Sequence, residues 1–406
     1  MISSDRIEKI TKASIDLLKK NRRQADGFCY TAPALESYPH QWLWDSCFHA
    51  IVLSHFDISI AKAEMKSLVA EQFDNGMIPH MIYWEGVKET FVHIDWGKDK
   101  TSSITQPPML AYAVWQIFNQ DKDAEFLESM YRPMYHFYRY LLSERDPRQN
   151  HLVGLINPDE SGEDNSPRFD KLLDLPPRHS LAENTRRRFE LFDKNKGCKF
   201  DAPFCMKNFF WVKDVPFNAI MVRNLELLAL IAETLGNNED ALIWREEKDL
   251  IVKAMAERMK EDGLYWSTYG PDYKKIKVMT WAIFSVLFGG LPDKDEADKL
   301  VEEHLLNPAE FFTTYPISST SQTEAAYDPE GFWRGPTWIS INWFVVQGLC
   351  DYGFYDLAEE LTDKSLALIE GSGFREYFSS KTGQGLGARD FTWGTLVIDM
   401  IERLRE

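Results

Sequence analysis

Apolar residues recur at helical spacing along nearly the whole chain, and the strict alternation of a half-buried strand is scarce. The periodicity predicts twelve helices, over 4–20, 42–54, 57–73, 104–119, 122–144, 212–235, 238–258, 277–288, 293–305, 336–351, 354–370 and 389–405. The links between them alternate in length. His55-Phe56, Gln120-Asp121, Gly236-Asn237, Gly289 to Pro292 and Tyr352-Gly353 are turn-like, whereas 21–41, 74–103, 145–211, 259–276, 306–335 and 371–388 are long. Long links without structure of their own usually carry function.

Twelve antiparallel helices linked in this way close into a double ring, with the even-numbered six inside and the odd-numbered six outside. All the long links then gather at one end. The openings of the even helices are alike: QWLWDS, TQPPML, WVKDVPFN, KVMTWAIF, RGPTWISIN and RDFTWGTL. Each brings an aromatic residue or a proline together with polar groups to a helix start. An open solenoid of hairpins would satisfy the periodicity too, but would not need long links so rich in Trp, Tyr and acid. The fold class expected is therefore all-α, with residues 1–406 as a single domain. No composition shift divides it, and 171–210 reads as an excursion within the longest loop.

Charge narrows the partners. The 46 basic and 63 acidic residues leave a net charge of −17, which argues against nucleic acid and anionic membranes, both of which need a basic footprint. No run of 18 apolar residues appears, so no membrane span is expected, and the charged amphipathic N-terminus does not read as a signal peptide. The five cysteines (Cys29, Cys47, Cys198, Cys205 and Cys350) are odd in number and scattered, which points to a reducing cytoplasm. Nothing in the sequence decides for or against a homo-oligomer.

Aromatics make up 14% of the chain, and several of the 13 Trp lie in loop-like stretches beside Gly, Pro and charged residues. Flat rings suit the C–H faces of a sugar, and neighbouring carboxylates suit its hydroxyls. Four clusters have this character. In Tyr38-Pro39-His40-Gln41-Trp42-Leu43-Trp44-Asp45, Trp42 and Asp45 share a helix face. The stretch from Asn157 to Asp170 holds five carboxylates, among which like charges would raise one another's pKa values. In Gly331-Phe332-Trp333-Arg334-Gly335-Pro336-Thr337-Trp338 a cation lies between two Trp. It could serve a catalytic carboxylate or an anionic substrate, or form a buried ion pair. The fourth runs from Gly371 through Glu376, a base candidate beside Arg375, and through a flexible GQGLG loop to Trp393.

Other chemistries fit poorly. There is no HExxH, CxxC or GxSxG pattern. His40, His49, His80 and His93 read as locally satisfied residues, Cys198 and Cys205 lack a nearby His for zinc, and no metal is expected. Arg186 to Arg188 read as a solvated patch.

YPHQWLWDS, ESGEDNSPRFD, FWRGPTW and the FREYF to FTW segment together resemble glycoside hydrolase family 63, in particular its short mannosylglycerate and glucosylglycerate hydrolases, and more distantly the family 37 trehalases. The likeness spans residues 38 to 393. It implies an (α/α)6 barrel, an inverting mechanism without cofactor, Asp164 as general acid and Glu376 as general base. The sugar subsite would use Tyr38, Trp42, Trp44, Asp45, Tyr83, Gln106, Gly162, Trp333, Arg334 and Trp338. The larger members carry an N-terminal β-domain, which is not expected here because the helical pattern starts at residue 4. Trehalases have Trp before the acid, where this chain has Glu163, which argues against trehalose. No motif assigns the residues that would hold a glycerate carboxylate; Arg334, Lys213 and Arg186 to Arg188 are candidates. The expected function is exo-acting hydrolysis of a small α-mannosyl or α-glucosyl conjugate. Alternatives are an α-glucosidase on short oligosaccharides, a sugar epimerase, which would rely on His bases, and a non-catalytic sugar-binding barrel, which would need neither Asp164 nor Glu376.

Overall fold

The computed structural model describes residues 2–86 and 94–405. His93 thus lies outside the described residues. The helices are α1 Ser4–Asn21, α2 Leu43–Ser54, α3 Ile58–Ala70, α4 Leu110–Asp121, α5 Ala124–Glu144, α6 Leu181–Gly197, α7 Ala202–Asn208, α8 Val215–Thr234, α9 Asn238–Arg258, α10 Ser285–Gly289, α11 Lys294–Lys299, α12 Ile339–Asp351, α13 Tyr355–Ser372 and α14 Val397–Arg403. A 3-10 turn, Trp281–Phe284, leads into α10, another, Thr392–Leu396, leads into α14, and a π-helical stretch, Leu300–Leu305, prolongs α11.

Helices α2, α4, α8, α10, α12 and α14 pack side by side in that order, and α14 returns to α2, so the inner ring closes. Every residue of α2 is buried, as is all of α12 except Asp351. A helix apolar on all sides must lie inside a protein. The same reasoning covers α8, the one described helix long and apolar enough to cross a membrane, because it is an inner helix and mostly buried. The outer helices bury one stripe each; α1 buries Ile10, Ser14, Leu17, Leu18 and Asn21. After their short turns three outer helices, α3, α5 and α11, are capped by aspartate. Asp57, Asp123 and Asp293 accept from Ile60 N, Phe126 N and Glu296 N at 3.3, 3.1 and 2.9 Å, which satisfies amides the helix itself leaves unpaired. The expected double ring and its short–long alternation are therefore present.

Several expectations change. The helix expected from residue 104 starts at Leu110, because Pro107 and Pro108 disfavour helical geometry in the residues before them. The excursion contains two helices, α6 and α7. Cys198 and Cys205, seven positions apart across the α6–α7 turn, form a disulfide, while Cys29, Cys47 and Cys350 take no part in one. Where a flexible loop is expected at GQGLG, its second half begins a strand, Gly385–Arg389, paired antiparallel with Arg375–Phe378. Like the other short hairpins in the long links, it is too brief to leave a periodic signal.

Candidate active site

The long links meet at the N-terminal end of the inner helices around a cavity of about 270 Å³. Tyr38, Trp42, Trp44, Asp45, Gln106, Gly162, Asp164, Trp333, Trp338 and Glu376 line it, together with Asp159, Arg188 and Trp393. Residues more than 300 positions apart thus converge at one end of the ring.

The first turn of α2 supplies Trp44 and Asp45. Its amides are satisfied by neighbouring loops rather than by a cap: Leu43 N donates to His80 O at 3.0 Å and Trp44 N to the Gln106 side chain at 3.4 Å. Trp393 Nε1 donates to Asp45 Oδ1 at 2.6 Å, which aims the carboxylate. Gly162 has a φ of +73° and backs directly onto Trp44; a Cβ there would lie 2.3 Å from the indole. No other residue type fits that contact. Trp333 and Trp338 stack with ring centroids 3.7 Å apart and planes 2° apart. Trp44 meets Trp393 edge-on at 5.0 Å. The result is an aromatic box with acids in its walls.

The loop from Asn157 to Asp170 is not a solvated acidic run. Each of its carboxylates has an arginine. Glu160 pairs with Arg145 at 2.8 and 2.6 Å, and Glu163 with Arg168 through two 3.0 Å bonds. Asp170 pairs with Arg334 at 2.9 and 2.7 Å. These three pairs are buried and shape the loop. Asp159 and Asp164 share the fourth arginine, Arg188 of α6, at the cavity wall. Arg188 is the only Lys or Arg among the described lining residues.

Glu376 stands on the strand Arg375–Phe378. Tyr38 donates its hydroxyl to Glu376 Oε1 at 2.6 Å, and Ala388 N donates to Oε2 at 2.8 Å. Gly387 in the paired strand makes this possible, because a Cβ there would lie 2.3 Å from Glu376 Oε2. Burial pushes the Glu376 carboxyl up to about 7, against the pull of these two donors. Burial also raises Asp164 to about 6, opposed by Arg188, and Asp45 to about 6, opposed by His49. The sequence predicts the Asp164 shift from like charges and places Arg375 beside Glu376. Burial is instead the larger cause at Asp164. Arg375 turns away from Glu376 and donates to Gly387 O at 2.9 Å.

Two of the expected sugar-site residues are not brought to the cavity. Arg334 spends its guanidinium on Asp170 and on the carbonyl oxygens of Asn165 and Pro177, at 3.3 and 2.6 Å, so of its alternative readings the buried ion pair holds. Tyr83 packs edge-on against His40 at 4.7 Å, behind the lining. Lys213 is likewise buried elsewhere, over the Trp211 ring.

Residues 38–394 match the family of mannosylglycerate hydrolase MGH1-like glycoside hydrolase domains. A mannosylglycerate hydrolase of Thermus thermophilus is 34% identical, over 94% of this chain and 97% of the relative. A crystal structure of the family 63 mannosylglycerate hydrolase from the same species, in complex with Tris and D-glycerate, superposes with a TM-score of 0.88 at 32% identity, covering 97% of this chain and all of that one. The chain belongs to glycoside hydrolase family 63. The glucosylglycerate hydrolase of Mycolicibacterium hassiacum is 28% identical over 89% of this chain and 91% of its own length.

This family 63 hydrolase also places residues at the cavity that its sequence did not single out. His80, Trp96, Thr185 and Phe189 line the wall. His80 bonds Ser102 Oγ at 2.6 Å, and burial lowers it to about 3, so it is a neutral, locally satisfied group as expected. Trp96 sits in a polar stretch, HIDWGKD, where a lone indole is a weak signal. Arg188 was visible only as one of three consecutive arginines. The 3.6-residue period turns it inward while Arg186 pairs with Glu190 on the exposed face.

Proposed function

We propose that this hydrolase cleaves a small α-glycoside of glycerate, 2-O-α-mannosylglycerate or 2-O-α-glucosylglycerate, with inversion at the anomeric carbon. The observation that carries the reading is the pairing of Asp164 and Glu376 in one small cavity whose single described arginine or lysine is Arg188. A sugar ring is neutral, so a lone guanidinium in an otherwise acidic pocket calls for an anion on the other half of the substrate. A fixed fork of donors suits a carboxylate. The names of the relatives support the same substrate class.

In the reaction, Asp164 protonates the glycosidic oxygen and Glu376 takes a proton from the attacking water. The aromatic box stacks on the sugar, and Asp45, aimed by Trp393, accepts from its hydroxyls. Tyr38 and Ala388 N hold the Glu376 carboxylate in one orientation, so that it faces the water with little reorganisation. An inverting pair leaves room for that water, with carboxyls roughly 6.5–9.5 Å apart.

Released sugar would be assayed on a panel of α-glycosides that includes both glycerate conjugates, with proton NMR of the fresh digest before mutarotation. The β-anomer should appear first. Asp164→Asn and Glu376→Gln should each lose about 10²–10⁴-fold in rate while remaining folded. First appearance of the α-anomer, or more than about a tenth of wild-type rate in Asp164→Asn, would remove these assignments.

A further inference from the structure

Arg188 holds two acids at once. Its Nε donates to Asp159 Oδ2 at 3.1 Å and its Nη2 pairs with Asp159 Oδ1, while Nη1 pairs with Asp164 Oδ2. For a general acid this is an awkward partner. A guanidinium favours the carboxylate, and a carboxylate has no proton to give. The same guanidinium is what an anionic leaving group would seek.

We propose that Arg188 is a switch operated by the substrate: the carboxylate of the leaving group takes over Nη1, and Asp164, released from it, takes up a proton and becomes the acid for that same leaving group. The inference rests on the substrate class given above and adds a coupling between recognition and catalysis. Asp159 keeps the Nε side of Arg188, so the arginine stays anchored while its partner at Nη1 changes.

The surroundings favour the protonated state once Arg188 is shared. The groups that act on Asp164 are Arg188, Asp159 and Glu163, with Glu376 and Tyr38 across the cavity. Glu163 is occupied by Arg168 and by Trp281 Nε1, at 3.0 and 2.8 Å. Arg188 is thus the one cation among those groups, and the other charged ones are acids. A neutral leaving group offers nothing to draw Arg188 away. Selection for a carboxylate then acts on the rate of the chemical step as well as on binding.

The protons balance. Asp164 gains one from solvent when the leaving-group carboxylate docks. The bond from the anomeric carbon to the glycosidic oxygen then breaks, that proton passes to the leaving oxygen, the water oxygen bonds to the anomeric carbon, and Glu376 takes the water proton. Departure of glycerate returns Arg188 to Asp164, and Glu376 gives its proton to solvent.

Calorimetric titration of the protein with D-glycerate, in two buffers of different ionisation enthalpy at pH 7, tests this. Asp164, at about 6, is roughly nine-tenths ionised at pH 7, so binding should take up a proton fraction that rises towards a ceiling of about 0.9. The uptake should vanish in Asp164→Asn and persist in Glu376→Gln, each checked by thermal melting for a native fold. Binding without proton uptake, uptake that survives Asp164→Asn, or no binding at all overturns the switch. The substrate reading is judged separately, by hydrolysis of α-mannosylglycerate and α-glucosylglycerate. Hydrolysis without proton uptake keeps that reading and ends the switch; uptake without hydrolysis of either conjugate ends that reading, and the switch with it.

Discussion

Removing one hydroxyl should reshape the pH profile in a way that loss of a sugar contact cannot. Glu376, at about 7, must be ionised to act, and Asp164, at about 6, must be protonated. With the values in that order, the productive form peaks near pH 6.5, where each condition is met in about a quarter of molecules, or about 6% together. Tyr38 donates to Glu376 at 2.6 Å and stabilises its ionised form. A hydrogen bond to a charged group is worth about 1.5–3 kcal/mol, and one pKa unit is about 1.36 kcal/mol. Tyr38→Phe should therefore raise Glu376 by about 1–2 units, to about 8–9. The bell in kcat/KM should widen, its alkaline limb moving from about 7 to about 8–9 with the acid limb still near 6. Its peak should fall roughly 7- to 60-fold, because fewer molecules have both groups in the working state. The assay is kcat/KM against pH from 5 to 10, wild type beside Tyr38→Phe. A lower peak with an unmoved alkaline limb would show that Tyr38 only touches the sugar and would refute the reasoning.

The same burial carries a cost to stability. Because the folded pKa of Glu376 is raised, its contribution is present below about 4.5 and is lost as pH rises through about 7. Glu376→Gln should thus be more stable than wild type by up to ~3 kcal/mol at pH 8, and equal to it at pH 4; an equal gap at both values in urea denaturation would contradict this. Gly162→Ala puts a Cβ 2.3 Å from the Trp44 ring at a φ of +73° and should cost about 2–4 kcal/mol. It should also raise KM, read by denaturation and steady-state kinetics; a normal KM would mean that Trp44 does not bind sugar. Arg334→Met leaves Asp170 buried without its partner and should cost about 3–5 kcal/mol, with KM on the glycerate conjugate changed less than about twofold; a large KM effect would return Arg334 to the substrate.

The sequence by itself determined the ring. The period of apolar residues marks twelve helices, all-round apolarity separates α2, α8 and α12 from the amphipathic outer helices, and the lengths of the links decide which ends meet. These are local properties, readable in order along the chain. It also held the elements of the site, because Trp44, Asp45, Asp164 and Glu376 stand in short, chemically distinctive motifs. The tertiary structure alone decided the partners. Whether Arg334 faces substrate or Asp170, and whether Arg188 lies in solvent or between two acids, depends on which loops pack together across the fold. Flanking residues carry no record of that. The short hairpins were hidden because two to five residues show no periodicity, and the disulfide because cysteine spacing does not reveal a turn between helices. The order of Glu376 above Asp164 is tertiary too. It arises from burial and from one arginine on a helix within the excursion, whereas Arg375, next to Glu376 in sequence, points to the opposite side of its strand, as alternation requires.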